Sequence, residues 1–562
     1  VTYGALRHED RTWVLDDLEP HVAIKVKRWF PRIDVAAKRL RLTATLANSA
    51  ELEWFCERFP LRLSEVDAEY LAESARRHSD VQAQIRLVLD GGYSKTTLGM
   101  AKPPRAYQDQ AAQLCHSTGG LLCADELGLG KTVTAIALLA REGNLPAVVV
   151  VPLNVLEQWA RKLAEFLPTA DVYVIRHAPG GVPKRDRKKL KGAQVLIMAY
   201  SRLTTWASEI SPRAVIFDEV HELRHAGTGK YLSAVELRTK AERCMGLSAT
   251  PIFNYGGEFY NVVGVISPGA LGERAEFLRE WCTGDGEKMS IKDPRAFGAW
   301  LRDDGLMLRR SREDVGRQLP PIVRSVVDVP LRGEEGGELE ALAWAALYAA
   351  PKQRFQARGK LDHRLRQWTG IAKAPAVAAF VEELLETTGE PVLLSGWHHE
   401  VYSRWRELLA RWSPAFYTGL ENIHAKEDSA GRFIRGDTKL LIMSLRSGQG
   451  IDGLQAACKR VVHGELDWSP QVHQQLTGRI HRDGQESATM EYWLTAEEGS
   501  DPVILDTLGV KRWQSDGVID PKGERVLSVR SEPEAMRRLA EAYLRKRGLD
   551  PSKPPLGVGA GC

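Results

Sequence analysis

Short apolar runs recur along the first half of the chain at the spacing of alternating strands and helices. They are 121–124 (LLCA), 147–152 (AVVVVP), 172–175 (VYVI), 195–200 (VLIMAY), 214–219 (AVIFDE) and 243–250 (RCMGLSAT). Runs this continuously apolar predict parallel strands covered on both faces, with helices between them, the first being 133–141 (VTAIALLAR). A second series begins at 391–396 (PVLLSG) and continues through 415–419 (AFYTG), 439–444 (KLLIMS), 460–465 (RVVHGE) and 489–495 (TMEYWLT). The pattern predicts an α/β chain of two parallel-sheet lobes. Polar residues collect at the carboxyl ends of the first series, where ligands of such sheets bind.

The flanks follow other patterns. Residues 1–95 predict a small accessory α+β domain: two short strands about a charged turn in 1–17, then amphipathic helices over 31–44, 49–60 and 65–85. His21, Lys25, Lys27, Arg28, Arg32, Lys38, Arg39 and Arg41 make it locally basic, as a solvated face or as a DNA-contacting module. A Gly/Pro/Ser-containing linker, 91–104, leads into the first lobe, 96–310. Residues 311–385 read as a charged helical bridge and 386–530 as the second lobe. In 531–562, a basic amphipathic helix (533–548) is expected to brace the lobes ahead of a flexible tail.

Composition narrows the chemistry. The 77 Lys and Arg stand against 73 Asp and Glu, so no global basic field attracts nucleic acid and any such site must be local. The seven cysteines form no CxxC pair and are expected to be reduced thiols, neither disulfides nor zinc ligands. With no apolar run of about 18 residues and no signal peptide, the chain is expected neither to cross nor to enter a membrane. Its expected place is cytoplasmic and nucleoid-associated in a bacterium or phage, nuclear in a eukaryote. The basic run 184–191 (KRDRKKLK) lies between two core strands and reads as a solvated loop or a phosphate contact.

Three constellations carry chemistry. In 121–134 (LLCADELGLGKTVT) an apolar strand meets a tight turn and then a helix. Gly128 and Gly130 let backbone N–H groups close around a phosphate, and the helix N-terminus adds partial positive charge. Lys131 would reach the β/γ-phosphates of ATP and Thr132 would ligate Mg²⁺, although Asp125 stands where the generic loop has Gly. Asp218 and Glu219 close an apolar strand and suit, respectively, a Mg²⁺ ligand and the base that orients attacking water. Arg479 and Arg482, three apart, can both point into one cleft as guanidinium fingers from the second lobe. Gln108, just ahead of the loop, can both donate to and accept from an adenine edge.

With these residues in place, positions 105 to about 518 resemble the Swi/Snf branch of superfamily-two helicase-like ATPases. The motifs are ADELGLGKT (124–132), PLNVLEQW (152–159), DEVH (218–221), GLSATPIFN (246–254), LRRSREDVGRQLP (308–320), GQGIDGLQAA (448–457), DWSP (467–470) and QQLTGRIHRDGQ (474–485). The Asp-Glu ahead of the glycines is a habit of that branch and accounts for Asp125.

The resemblance implies two RecA-like lobes and an ATP- and Mg²⁺-using motor that tracks double-stranded or branched DNA, with other protein subunits as further candidate partners. It implies Gly450 and Asp452 on the nucleotide side, and His221, Ser248, Ala249, Thr250 and Gln475 as coupling residues. It also implies a nucleic-acid track including Pro152, Asn154, Tyr200, Ser201, Arg446, Ser447, Gly448 and Trp468. A compact bacterial or phage member, or a relative of the annealing helicases, fits better than a nucleosome remodeller. The alternatives are a strand-separating helicase, and a motor subunit of a DNA-defence or restriction complex.

Overall fold

Antiparallel strands β1 (Ala5–Glu9), β2 (Thr12–Asp16) and β3 (Leu40–Thr43) open the chain. The structure, a computed structural model, describes residues 2–37, 39–93, 99–249, 255–284, 289–316, 319–333, 337–446, 451, 453–508 and 532–554. Trp13, Leu15, Leu40 and Leu42 alternate onto one face of the small sheet and pack against Val22, Val26, Leu52 and Phe55. Residues 31–44, expected to be helical, instead hold a turn and β3. The helix lies earlier, at Pro20–Trp29, where Pro20 sits in the first turn. The following helices, Leu46–Arg58 and Glu65–Leu89, begin on Thr45 and Ser64 side-chain caps.

Chain contacts divide the molecule into two units, one holding residues 1–315 with 515–523, the other 316–514 with 524–562. The N-terminal segment shares the first unit's interior. Ile85 and Val88 lie in the same apolar cluster as Leu121 and Val149, and Glu276 accepts the Thr43 amide at 2.8 Å.

The first unit's main sheet uses β4 (Gly120–Cys123), β5 (Ala147–Val151), β6 (Val172–Ile175), β7 (Val195–Ala199), β8 (Ala214–Asp218) and β9 (Arg243–Leu247). A two-strand ribbon, β10 (Cys282–Thr283) and β11 (Ser290–Ile291), follows, and β12 (Met307–Leu308) returns to the sheet. The order is β12–β4–β9–β8–β5–β7–β6 and every pair is parallel. Apolar clusters fill both faces, so these strands lack hydrophobic alternation. The basic run forms a short exposed helix, Arg187–Gly192.

The second unit's sheet comprises β13 (Ile322–Asp328), β14 (Val392–Gly396), β15 (Ala415–Tyr417), β16 (Leu440–Ser444), β17 (Arg460–His463) and β18 (Thr489–Thr495). It is parallel throughout, in the order β13–β18–β17–β14–β16–β15. The expected bridge at 311–385 is therefore not helical throughout: β13 is an edge strand of this sheet, and the helix Pro351–Thr388 packs on its face through Val377, Val381 and Leu385. The helix Glu532–Lys546 braces Glu338–Tyr348 and Pro351–Thr388 through Leu539, Ala540 and Leu544.

The two parallel sheets with their helices are the two α/β lobes that the strand pattern predicts. Among the described residues no helix is long and apolar enough to cross a membrane. None of their His, Cys, Asp and Glu side chains form a metal-binding group of three or more. Cys115, Cys123, Cys244, Cys282 and Cys458 are free and buried.

Candidate nucleotide site

The phosphate loop leaves β4 at the carboxyl edge of the first sheet and enters the helix Lys131–Leu139. Gly130 caps that helix at φ 75°, in the left-handed region, and no side chain caps the first turn. An anion is the natural partner for such an end. Lys131 Nζ donates to the Asp125 carbonyl at 2.7 Å, and burial pushes its pKa down from the ordinary lysine value.

Two flanking segments hold the loop. Ahead of it, Gln108 Oε1 accepts the Arg105 amide at 2.9 Å while its Nε2 donates to the Leu129 carbonyl at 2.9 Å. Tyr107 donates its hydroxyl to the same carbonyl at 2.9 Å. The expected adenine-reading carboxamide thus lies buried against the loop itself. Behind it, the chain leaving β12 runs along the loop. Arg310 donates Nε to Asp125 Oδ1 at 3.0 Å and Nη2 to Oδ2 at 2.6 Å. Arg312 donates its amide to Glu126 Oε2 at 2.8 Å and Nη2 to the Leu127 carbonyl at 2.6 Å. Asp125 is fully buried, so the departure from the generic loop is a structural anchor for Arg310.

Asp218 ends β8 beside this loop. Its Oδ2 accepts the Trp159 indole N–H at 2.7 Å, its Oδ1 accepts the Glu219 amide at 3.0 Å, and its carbonyl accepts the Tyr200 hydroxyl at 2.7 Å. Burial, then the neighbouring Glu219 charge, raises the Asp218 carboxyl to about 6 against the pull of Trp159 and Lys131. Glu219 sits at φ 49°, a sparsely populated conformation for a side-chain-bearing residue that concentrates at functional sites. His221 Nδ1 lies 3.4 Å from both Glu219 Oε2 and Ser248 Oγ, so one coupling candidate meets the expected base and the other meets it through that imidazole. Burial lowers the His221 imidazole to about 4, leaving it neutral at pH 7. Ala249 is buried, and Thr250 lies outside the described residues.

The proposed track divides. Asn154 and Ser201 are exposed at strand ends and Pro152 is half-buried. Tyr200 is a correction: it is 6% exposed, its ring packs with Phe217, and its hydroxyl is committed to Asp218, so it supports β8 and offers nothing to a phosphate.

In the second unit, Arg446 pairs with Asp467 at 2.8 Å and lies over the Trp397 ring, and Trp468 donates its indole N–H to Asp362 at 2.8 Å. Gln475 lies on the helix Pro470–Thr477, which ends before Arg479 and Arg482; both arginines are half-buried on the turns that follow. Ser447, Gly448, Gly450 and Asp452 lie outside the described residues.

A family model for the SNF2-related domain matches residues 44–338. The chain belongs to the SNF2-related family. It is 26% identical over 455 residues to mouse DNA annealing helicase and endonuclease ZRANB3, covering 76% of this chain and 42% of that protein. It is also 26% identical over 409 residues to the SWI/SNF-related matrix-associated actin-dependent regulator of chromatin subfamily A-like protein 1 of Xenopus tropicalis, covering 70% and 43%. The SNF2 chain thus spans less than half the length of these two relatives. The ATP-dependent helicase YqhH of Bacillus subtilis is 25% identical over 459 residues, covering 72% of this chain and 77% of its own. The SWI2/SNF2 ATPase core of Sulfolobus solfataricus solved with dsDNA aligns at TM-score 0.37 and 20% identity, covering 75% and 95%.

Two parts of this SNF2 site escaped sequence reasoning. Trp159 stands 59 residues before the carboxylate it supports, and Arg310 stands 185 residues beyond Asp125, so no local spacing joins them. A charged residue inside an apolar strand-to-loop run was the available sign that Asp125 needed a buried partner.

Proposed function

We propose that the chain is a DNA-stimulated ATPase that translocates on double-stranded DNA, branched DNA included, with displacement of bound protein as one outcome. The observation that carries this reading is the placement of Lys131, Asp218 and Glu219 at one sheet edge, within electrostatic reach of one another. The similarity to a DNA annealing helicase and endonuclease supports the choice of DNA as substrate.

The residues fit a magnesium nucleotide. The uncapped helix start at Lys131 and the glycines at 128 and 130 suit phosphate oxygens, and the Asp218 carboxylate with the Thr132 hydroxyl are hard oxygen donors suited to Mg²⁺. When bound, the ion supplies charge neutralisation on the phosphates. Lys131 exchanges its bonds to loop carbonyls for β/γ-phosphate oxygens. Trp159 keeps Asp218 oriented. Glu219 orients the attacking water and accepts its proton, with the neutral His221 beside it. Arg479 and Arg482 supply the charge that stabilises the transferred phosphoryl group. Exposed Asn154 and Ser201 hold backbone phosphates, which favours sequence-tolerant, salt-dependent binding.

ATP turnover measured with duplex, forked and single-stranded DNA tests the reading. Duplex and forked DNA should stimulate hydrolysis above single strands, and Lys131→Ala or Glu219→Gln should abolish it. Stimulation by single strands alone, with strand displacement, would replace this reading with that of a strand-separating helicase.

A further inference from the structure

We propose that Arg354, Arg358 and Arg537 form a second contact for the phosphodiester backbone of duplex DNA, outside the motor's own track. The inference rests on the DNA reading above and extends it to residues beyond the 44–338 family match.

Arg354 and Arg358 lie one turn apart near the start of the helix Pro351–Thr388. Their Nε atoms donate to the carbonyls of Ala349 and Ala346 at 3.0 Å each, closing the C-terminal end of the helix Glu338–Tyr348. Those bonds, made through Nε, fix where the guanidinium groups stand, and both residues are half-buried. Among the described residues neither arginine has an ion-pair partner. Arg537 joins them from the helix Glu532–Lys546, which packs on both others; its Nε is 3.5 Å from Glu541 and its side chain is 55% exposed. Burial lowers the Arg358 guanidinium, and repulsion from Arg354 and Arg537 lowers it further, with no carboxylate acting the other way.

Among the described residues the three like charges meet one carboxylate, Glu541, which Arg545 also uses, and such a surplus is stabilised by an anion. The cations come from two helices and so span a surface, which favours a nucleic-acid backbone over a small anion. Arg354 and Arg358 fall within about 40° of helical arc, so the two charges face one way. Lys352, also exposed, borders them.

The test is fluorescence anisotropy of a labelled blunt duplex titrated with the full chain from about 50 to about 200 mM salt. The variants are Arg354→Gln/Arg358→Gln/Arg537→Gln, the matching triple lysine variant, and Arg537→Gln alone. The triple glutamine variant should lose about one unit of salt slope per arginine and bind about tenfold more weakly at the upper salt. DNA-free ATPase should stay at the wild-type rate. The lysine variant, which keeps the charge but not the carbonyl bonds, should bind within about threefold of wild type. Arg537→Gln alone, which disturbs no helix end, should lose about one unit of slope. An unchanged slope in Arg537→Gln and in the triple glutamine variant overturns the site while leaving the DNA reading intact. A wild-type chain neither bound nor stimulated by duplex overturns the DNA reading itself. Polyglutamate displacing the probe better than unlabelled duplex at equal charge would make the partner an acidic protein and overturn the proposal.

Discussion

Arg310 grips both oxygens of Asp125 with one edge of its guanidinium, Nε at 3.0 Å and Nη2 at 2.6 Å, and so fastens the phosphate loop to the strand end that closes the first lobe. Arg310→Ala leaves a buried carboxylate without its counter-charge. Breaking such a pair costs about 3–5 kcal/mol. The first unit's urea transition should move to lower denaturant and the KM for ATP should rise, with Arg310→Lys falling between. A transition coincident with wild type would show that the pair does not anchor the loop.

Trp159→Phe keeps an aromatic ring and removes the indole N–H that Asp218 Oδ2 accepts. A hydrogen bond to a charged group contributes about 1.5–3 kcal/mol, so kcat should fall about 10- to 100-fold with little change in the melting temperature. Unaltered kcat would remove Trp159 from the site.

Gly130→Ala places a Cβ 2.6 Å from Gln108 Nε2, at a backbone φ of 75°. The conformation alone costs an alanine about 1–2 kcal/mol, and the collision adds to it. In a double-mutant cycle, Gln108→Ala should recover the collision but not the backbone cost, giving a coupling of about 1 kcal/mol in nucleotide affinity. Additive effects would mean that Gln108 does not latch the loop.

Acid sensitivity of the second unit should centre on Glu491. Burial would raise this carboxyl, but bonds from His463 and Thr477 and the charge of Arg324 outweigh it and hold the value at about 2. The folded value lies below the unfolded one, so the stabilisation is present above pH about 4.5 and is lost as pH falls toward about 2. It is on the order of 3 kcal/mol. His473, buried and pushed well below the ordinary imidazole value, adds a loss of the same sign below pH about 6.5. Glu491→Gln should flatten the limb between pH 4.5 and 2 in chemical denaturation at stepped pH. A limb as steep as wild type would assign it to other groups.

The two large sheets were legible because buried parallel strands are unbroken apolar runs, from Ala147–Val151 to Leu440–Ser444. β13 was not. In Ile322–Asp328 the exposed Val323, Arg324, Val326 and Asp328 break up the half-buried positions, as an edge strand permits, and its pairing with β18 spans 167 residues. Lys131, Asp218 and Glu219 were legible from residue type and order, since phosphate and water chemistry restricts both. The groups that orient them were not: Trp159, Arg310 and the loop-facing side of Gln108 are defined only by contacts the fold creates. Tyr200 was misplaced because a tyrosine at a strand end reads as surface until the carbonyl it serves is known.

Single-turnover ATP hydrolysis with saturating duplex DNA, comparing wild type with Arg479→Gln/Arg482→Gln, tests the central claim most directly. If the second lobe's guanidinium groups complete the first lobe's site, the variant should bind nucleotide within about threefold of wild type yet hydrolyse it about a thousandfold more slowly. Hydrolysis at the wild-type rate would contradict a motor completed by both lobes.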